Sequence, residues 1–430
     1  FASVMSRNAS NSVTTAAGGG SAGAGSRGKS GITTAGGGSA NAGGGGQGRS
    51  HVVTAAGGAS GNAHVTTGLG QGNGGGASAA GAAPTATTAA SSDLDGRAAG
   101  RSGDAPVALG AVRDLVDAPM RALVDRLAPA VRQVAAYHFG WVDADGLPRE
   151  ANGGKAVRPT LAVLSAQAVG AEAAVGIPGA LAVEMVHNFS LLHDDVMDRD
   201  EERRHRPTAW TVFGSSAAIL AGDALLSLAF EALFDVPSTR STAAQRALAA
   251  ATQQLIVGQV DDLDFERRLD VGVDECIEMA GGKTAALMAC AASIGAHLAA
   301  APAGVVDALD TFGRELGLAF QLVDDLLGIW GSTTTTGKPV GADLRARKKS
   351  LPVVAAMASG TAAGQELRRV YASGELHGDA DARVVEHAAT LVDEAGGRAW
   401  ASDEANQRLD LARAALTAVD LAPGPRDALL

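Results

Sequence analysis

The sequence has few of the residues that mark several protein classes. Its 430 residues include two cysteines, Cys276 and Cys290, and aromatic side chains make up only 3%. Two cysteines supply neither a disulfide framework nor a cysteine metal cluster, so we expect buried thiols in a reducing compartment. No apolar run near the first residue indicates a signal peptide. The longest uncharged run, 285–306, is rich in alanine, which predicts a buried helix of a cytoplasmic protein rather than a membrane span.

The first hundred residues lack what a folded core requires. Residues 1–104 contain 28 of the 57 glycines, but two leucines and one aromatic side chain, Phe1. This composition buries too little apolar surface to offset a backbone entropy cost of about 1–2 kcal/mol per residue. We therefore predict a disordered Gly/Ala/Ser/Thr-rich tail over 1–104 and a folded domain over 105–430.

Acidic residues are absent from residues 1–92, which carry a charge of +4, whereas the whole chain carries −11. Residues 93–430 therefore carry −15. A body of this charge lacks the basic face that nucleic-acid binding requires, so no nucleic-acid partner is predicted. An anionic substrate would need a few placed arginine and lysine side chains or a bound cation.

A weak repeat is present in the tail. Val-Thr-Thr-like clusters followed by glycine recur at 13–19, 32–37, 53–58 and 65–68. β-Branched clusters on flexible spacers can each add a short strand to a partner, and several copies raise the avidity. Chance drift within a low-complexity sequence is the alternative explanation.

Beyond about residue 107 the apolar residues recur at helical spacing. No strand-like alternation with hairpin turn signals stands out. The pattern predicts an all-α fold, a bundle of long antiparallel helices. Helices are predicted over roughly 156–170, 176–198, 209–235, 240–268, 273–300 and 303–330, with smaller ones in 344–421.

Two acidic clusters stand at the ends of apolar helical stretches. Asp194, Asp195 and Asp198 occupy positions i, i+1 and i+4, so Asp194 and Asp198 share one helix face. Like charges at that spacing destabilise a helix unless a cation lies between them. Mg²⁺ characteristically bridges carboxylates to substrate phosphates. Asp324 and Asp325 form a second cluster, and the two could face each other across a bundle; a solvated acidic helix end is the alternative.

Basic groups alternate with these acidic clusters along the chain. Arginine clamps diphosphate oxygens with two N–H groups, lysine acts as a point charge, and a preceding glycine lets backbone amides approach an anion. This alternation predicts a diphosphate site. The basic candidates are Lys155 with Arg158, the pair Arg203 and Arg204, Lys283, and Lys338.

In this order, the motifs resemble the trans-isoprenyl diphosphate synthase (polyprenyl synthetase) family over residues of about 110–425. The stretch 193–208 is similar to its first aspartate-rich motif, and 320–348 is similar to its second. The resemblance implies a helical bundle around a central cavity. It also implies a Mg²⁺-dependent condensation of isopentenyl diphosphate with an allylic diphosphate, performed by a homodimer.

The resemblance further implies roles for single residues. For isopentenyl diphosphate the implied ligands are Lys155, Arg158, His187 and Arg204. For the allylic diphosphate they are Arg203, Lys283 and Lys338, with Gln259, Thr284, Gln321 and Lys348 as further substrate-binding residues. For Mg²⁺ they are Asp194, Asp198, Asp324 and Asp262. The residues implied in the chemical step are Asp194, Asp195, Asp198, Lys283 and Asp324.

Two positions bear on details of the resemblance. Gly328 stands where the second motif often has a third aspartate, which leaves an outer metal ligand in question. Phe189 lies just over one helical turn before Asp194, and Ser190 beside it is small. An aromatic ring at that point resembles short-chain synthases, so we expect a C20 geranylgeranyl product, with C15 farnesyl second. Ordinary core packing of Phe189 is the alternative.

Two other functions stay open on the sequence alone. A class I terpene cyclase would carry a second motif of the N/D-D-x-x-S/T-x-x-x-E kind, and nothing after Phe320 fits it. A non-catalytic synthase-like scaffold subunit would be expected to lose metal ligands, yet both acidic clusters are present. The tail itself resembles the disordered, repeat-bearing N-terminal loading segments of encapsulin cargo, which implies a protein nanocompartment shell as a partner.

Overall fold

This computed structural model describes residues 104–149, 156–331, 340–376 and 380–430, with side chains from residue 109 onward. The described chain is almost entirely helical, and its only sheet has two short strands. The predicted all-α fold is therefore confirmed. The tail predicted over 1–104 lies outside the described residues, except for Asp104, with which the first helix begins.

Sixteen α-helices lie along the described residues. The first ten are α1 (Asp104–Val124), α2 (Pro129–Phe139), α3 (Val157–Ala168), α4 (Ala173–Met197), α5 (Ala209–Phe213), α6 (Ser215–Glu231), α7 (Ser238–Phe265), α8 (Val273–Ala280), α9 (Ala286–Leu298) and α10 (Ala303–Trp330). A π-helical turn, Gly281–Ala285, joins α8 to α9. The remaining six are α11 (Ala342–Arg345), α12 (Leu351–Ala358), α13 (Ala362–Ser373), α14 (Ala382–Glu394), α15 (Gly397–Thr417) and α16 (Pro423–Leu429).

Helix α9 lies at the centre of the bundle and packs against α3, α4, α7 and α10. All of its residues except His297 are buried, including Cys290. Small side chains allow this close packing, and a Cβ on Gly295 would overlap the backbone of α3. The alanine-rich run is thus a buried helix, as predicted, and both cysteines are buried thiols.

Helix α4 runs through the same core and ends at the first acidic cluster. By length and composition alone it is apolar enough to cross a membrane, but 67% of its 18-residue apolar window is buried inside the bundle. No other described helix meets that criterion. Burial against neighbouring helices accounts for the apolar character of α4.

A small β-hairpin follows α4 and was not predicted. Strand β1 (Glu202–Arg203) pairs antiparallel with β2 (Arg206–Pro207) through the two-residue turn Arg204–His205. Both turn residues have positive φ, +53° and +59°, the backbone of a type I′ turn that usually contains Asn-Gly. Because Arg-His gives no such signal, the sequence pattern did not reveal the hairpin. Tertiary contacts hold its base, since the Tyr137 hydroxyl donates to the Pro207 carbonyl at 2.8 Å.

Candidate active site

The last turn of α4 carries the first acidic cluster. Asp194 and Asp195 lie within that turn, Asp198 is the C-cap residue, and no basic residue is present there. A helix C-terminus carries partial negative charge, which is unfavourable for carboxylates. Positive charge must therefore come from other elements or from a ligand.

An open cavity of about 570 Å³ lies beside this helix end and is called the aspartate cavity below. Its wall combines residues that are far apart in the sequence. Carboxylates line it from the end of α4, from α7 and from α11, together with three lysines and one arginine. The charged residues of the wall are Asp198, Asp200, Asp262, Glu266, Asp343, Lys283, Arg347, Lys348 and Lys349. The first motif, the mid-chain pair and the segment after the second motif thus meet at one site.

Two carboxyl groups at this site have pKa values above their ordinary value. Burial raises the pKa of Asp198 to about 6, against the lowering effect of Lys283. Burial also raises the pKa of Asp194, which Lys283 and Arg203 partly offset. In the described part of the chain, no three acidic, histidine or cysteine side chains converge as a preformed metal cage. The oxygen donors nevertheless suit a hard divalent cation shared with substrate phosphates.

Lys283 reaches the cavity from the π-helical turn. Its Nζ donates to Asp262 Oδ2 at 2.5 Å. Two glycines make this approach possible, because a Cβ on Gly258 would overlap the backbone of Gly282 and Lys283. Single π turns within helices frequently occur at functional sites. The next residue on α7, Gln259, has both polar side-chain atoms buried with no hydrogen-bond partner among the described residues.

The two carboxylates of the second acidic cluster, Asp324 and Asp325, have different roles. Asp325 is only 3% exposed, and its carboxylate accepts hydrogen bonds from Gln321 Nε2 at 2.8 Å and from the backbone N–H of Leu351 at 2.9 Å. Leu351 is the first residue of α12, so Asp325 caps that helix. Thr284 donates to Gln321 Oε1 at 2.6 Å and links this network to the π turn. Asp324, in contrast, is exposed on α10.

Lys348 lies near the carboxylates of Asp325 and Asp343. Its Nζ is 3.8 Å from Asp325 Oδ1. Although burial lowers the pKa of Lys348, the carboxylates of Asp325 and Asp343 raise it above its ordinary value overall. The ammonium therefore stays charged at the wall of the aspartate cavity.

A packing contact explains why glycine occupies position 328. A Cβ at this position would overlap the carboxylate of Asp343, which lies directly over the glycine. Asp343 belongs to the short helix α11 and also lines the aspartate cavity. A carboxylate from the following segment thus occupies the space that a side chain at 328 would take.

A second cavity, of about 270 Å³, lies between the end of α2 and the β-hairpin and is called the arginine cavity below. Four arginines and two histidines line it: Arg149, Arg203, Arg204, Arg206, His138 and His205. Among the described residues of its wall the one acid is Asp195, whose side chain is 2% exposed and accepts a hydrogen bond from Arg203 Nε at 2.7 Å. Burial raises the pKa of Asp195 to about 6, against the lowering effect of Arg203.

Of the residues assigned to isopentenyl diphosphate, Arg158 and Arg204 are two nearby cations that repel each other, and they keep His187 neutral. Burial lowers the pKa of Arg158, and Arg204 lowers it further despite Glu184. Burial, then Arg158 and Arg204, lower the pKa of His187 well below its ordinary value. Arg158 Nε is buried with no hydrogen-bond partner among the described residues. A bound anion would relieve this repulsion. Lys155 and Lys338 lie outside the described residues.

The predicted chain-length residues lie in the core beside the first cluster. Phe189 is 7% exposed, and its ring meets the His193 ring edge-on with 4.8 Å between centroids. Ser190 is buried and donates to the His187 carbonyl at 2.8 Å. His193 turns away from the aspartates, because its Nε2 lies 3.0 Å from the Ile219 carbonyl of α6.

The sequence patterns did not single out three residues of the arginine cavity. His138 lies at the end of α2, and Arg149 follows in the next loop. Arg206 stacks over the Tyr137 ring at 4.3 Å and donates to the Tyr137 and Val142 carbonyls. His138 and Arg149 belong to no spaced motif, and Arg206 lies within the stretch 193–208 without a predicted role, so only the fold reveals their proximity.

The chain was compared with known proteins. Residues 149–389 match the polyprenyl synthetase family. The (2E,6E)-farnesyl diphosphate synthase of Mycobacterium tuberculosis is 52% identical over 301 residues, which are 70% of this chain and 84% of the relative. The geranylgeranyl diphosphate synthase of that organism is 44% identical over 294 residues, 68% of this chain and 83% of the relative.

Solved structures are similar over the same region. The polyprenyl synthetase from Streptomyces coelicolor A3(2) is 51% identical with a TM-score of 0.72, covering 76% of this chain and 97% of that one. The geranylgeranyl pyrophosphate synthase from Corynebacterium glutamicum, solved with isoprenyl diphosphate and magnesium, is 25% identical with a TM-score of 0.64, covering 76% and 96%. Neither a terpene cyclase nor a non-catalytic scaffold is supported by these matches. The chain belongs to the polyprenyl synthetase family and is a trans-prenyltransferase.

Proposed function

We propose that the protein condenses isopentenyl diphosphate with an allylic diphosphate in the presence of Mg²⁺, and that residues 105–430 form the catalytic domain. One observation carries the proposal. The C-terminal end of α4 contributes to two cavities, with Asp198 in the aspartate cavity, where carboxylates and basic groups are mixed, and Asp195 in the mainly basic arginine cavity. Two diphosphate substrates need two such neighbouring sites, one of which can hold metal.

The metal would be held on the aspartate side by Asp194, Asp198, Asp324 and Asp262. Mg²⁺ usually takes one or two protein carboxylates and completes its shell with water and substrate phosphates, so no preformed cage is required. When bound, it would neutralise the developing charge of the diphosphate leaving group. The magnesium-containing relative from C. glutamicum supports this choice of metal.

The chain's own residues have separate tasks in the proposed reaction. Lys283 and Lys348 face the leaving diphosphate from the cavity wall and stabilise its charge. Arg203 donates to Asp195 through Nε and retains its other N–H groups for the allylic diphosphate. The allylic C–O bond breaks with its electron pair on the diphosphate, and the apolar helix walls exclude water from the carbocation. The double bond of isopentenyl diphosphate then attacks, and the departing diphosphate accepts the proton that is lost.

The proposed reaction is tested by incubating the full chain with isopentenyl diphosphate and C5, C10 or C15 allylic diphosphates, with and without Mg²⁺. We expect a diphosphate of higher mass only when Mg²⁺ is present. Turnover by Asp194→Asn should be at least about a hundredfold slower than that of the wild type. Asp114→Asn, at an exposed acid of α1, is the matched control and keeps wild-type turnover. No condensation with any allylic length would overturn the proposal.

We propose a C20 product, with C15 second, as both lengths occur among the relatives. Phe189 is buried one turn beyond the aspartates, where it would stop the growing chain. Phe189→Ala should therefore lengthen the product, while Phe189→Tyr, which retains the ring, should not. Product masses that are identical for both variants and the wild type would show that Phe189 is ordinary core packing.

We also propose a homodimer. On α7, Ile256, Val257 and Val260 lie on one face, and Val260 is 60% exposed. An exposed apolar stripe of this kind suits a second copy of the chain. Light scattering should give twice the chain mass for the wild type and a monomer for Val257→Glu combined with Val260→Glu. A wild-type monomer would refute the assignment.

For the tail we propose loading into an encapsulin-type shell. The repeated β-branched clusters and the +4 charge of residues 1–92 support a tether rather than a catalytic segment. Deletion of residues 1–104 should abolish co-purification with a co-expressed shell and leave condensation unchanged. Intact shell association after the deletion would refute the loading role.

A further inference from the structure

Some of the basic side chains that line the arginine cavity have no hydrogen bond or ion pair with the rest of the described cavity wall. Arg203 donates to Asp195, and Arg206 donates to two backbone carbonyls and stacks on an aromatic ring. Arg149 and Arg204 also line the cavity, but within the described residues their guanidinium groups form no hydrogen bond or ion pair. An uncompensated positive field of this kind favours a bound anion.

His138 is partly buried in this wall, close to buried Asp195. Its Nε2 is buried with no hydrogen-bond partner among the described residues. A buried polar atom without a partner is unfavourable, which suggests that a ligand atom completes its contacts. The residue is the penultimate one of α2, and Gly140 with φ +80° ends the helix and turns the chain into the loop that carries Arg149.

The charge state of His138 agrees with an anion pocket. Burial, followed by Arg203 and Arg204, lowers its pKa to about 3, against the raising effect of a hydrogen bond with the Asn188 side chain. His138 in turn contributes to the low pKa of His187, so the two histidines share one field. A bound diphosphate would offset the guanidinium charges that disfavour protonation. The ring would then be able to donate a hydrogen bond to a phosphate oxygen.

Residues 140–149, which follow α2, are held by their own contacts. Asp143 Oδ1 accepts hydrogen bonds from the backbone N–H groups of Asp145 and Leu147, and Val142 forms a bridge with Pro148. The backbone N–H of Arg149 donates to the Trp141 carbonyl at 2.9 Å. These bonds return the chain toward α2 and leave Arg149 at the mouth of the cavity. Binding by Arg149 therefore needs no rearrangement of the loop backbone.

We propose that His138 and Arg149 bind the diphosphate of isopentenyl diphosphate, extending the site beyond Arg158, His187 and Arg204. This inference rests on the proposed condensation. It adds two binding residues from α2 and its following loop, outside every aspartate-rich or glycine-lysine motif. His138 and Arg149 line the arginine cavity together with Arg204, whose charge acts on Arg158, so we assign them to the isopentenyl substrate. Arg203, on the Asp195 side of the same cavity, is the residue assigned to the allylic diphosphate.

The test compares the KM of each substrate at saturating concentrations of the other. His138→Leu and Arg149→Gln should each raise the KM for isopentenyl diphosphate about tenfold, the effect of losing one hydrogen bond to a charged group. The KM for the allylic diphosphate and kcat should stay within about twofold of the wild type. Arg149→Lys, which keeps the charge, and His138→Gln, which keeps a donor, should restore part of the loss.

A matched control removes a charge elsewhere. Arg240→Gln, at an exposed arginine of α7 outside both cavities, should change neither KM. Calorimetric titration of metal-free protein with isopentenyl diphosphate adds a readout that does not depend on turnover, and its Kd should rise about tenfold in both variants. Unchanged KM and Kd for isopentenyl diphosphate, or equal increases for both substrates, would overturn the inference.

The two proposals fail in different ways. If wild-type protein forms no condensation product, the proposed reaction itself is wrong. If wild-type protein condenses the substrates but the variants bind isopentenyl diphosphate normally, only the roles of His138 and Arg149 are wrong. Arg149 is exposed, so its variants test the inference even if a substitution at partly buried His138 impairs folding.

Discussion

The crossing of α7 with the π-helical turn offers a sharp test of how packing positions the catalytic lysine. Gly282 lies against α7, and a Cβ there would be 2.7 Å from the Gln254 carbonyl oxygen and 3.2 Å from Gly258 Cα. Gly281, its neighbour in the same turn, has nothing within 4 Å of the corresponding Cβ position. Substitution of each glycine by alanine adds the same methyl group in two different surroundings.

The expected magnitudes follow from this geometry. Ordinary contact begins at 3.4 Å, so Gly282→Ala must displace the turn from α7 by about 0.7 Å. Overpacking of backbone against backbone costs about 1–3 kcal/mol. Gly281→Ala should instead stabilise the protein by about 0.5–1 kcal/mol, because alanine loses less conformational entropy in a helix.

Activity should change with the position of Lys283, the residue after Gly282. Its ammonium donates to Asp262 across the crossing at 2.5 Å, so a displacement of about 0.7 Å alters its placement in the aspartate cavity. Misplacement of a catalytic group by about 1 Å can cost a hundredfold in rate, and we expect at least a tenfold loss of kcat. Gly281→Ala should retain wild-type kcat.

Urea unfolding followed by circular dichroism gives the free energies of unfolding, and steady-state assays give kcat. Gly282→Ala should unfold at a lower urea concentration than Gly281→Ala. Equal unfolding free energies for the two variants, or full kcat for Gly282→Ala, would refute it.

Further predictions concern the two acidic clusters. Asp325→Ala should lower the free energy of unfolding by about 1–3 kcal/mol in urea titrations, because the backbone N–H of Leu351 and the amide of Gln321 lose their buried acceptor. Asp324→Ala should stay within about 0.5 kcal/mol of wild type while product formation is lost. The folded pKa of Asp198, about 6, exceeds its ordinary value, so this group stabilises metal-free protein as the pH falls from 7 toward 4 while Mg²⁺ binding weakens. The Mg²⁺ concentration for half-maximal activity should therefore be higher at pH 5.5 than at pH 7.5, and equal values would contradict this. Gly328→Asp should lower the thermal midpoint, because the new side chain overlaps Asp343, and Gly328→Asp combined with Asp343→Gly should recover part of it.

Local sequence patterns predicted much of the architecture. Apolar residues at helical spacing predicted α3, α4, α7 and α10 to within a few residues, because long periodic segments bury one face whatever their neighbours are. The predicted helix over 209–235 is instead two helices, since Gly214 at φ +87° breaks it. The β-hairpin was missed because its left-handed turn is imposed by tertiary contacts at its base.

Residue type and spacing indicated the acidic and basic groups of the site but not their individual surroundings. Asp324 and Asp325 are adjacent in the sequence and look equivalent there. Only the bundle decides that Asp325 points inward to cap α12 while Asp324 stays exposed, because successive helical residues point about 100° apart. Likewise, nothing local relates Gly328 to Asp343, which meet through the packing of α10 and α11.

By itself, the sequence determined the helical class of the body, the two aspartate-rich helix ends and the family. These depend on residue type and near-neighbour spacing, which the chain carries in any conformation. The tertiary structure alone decided that Asp195 and Asp198 open onto different cavities and that Asp262 pairs with Lys283. It also placed His138 and Arg149 beside Arg204. Such juxtapositions arise from contacts between residues distant in the sequence, so their physical cause is the packing of helices and not any local pattern.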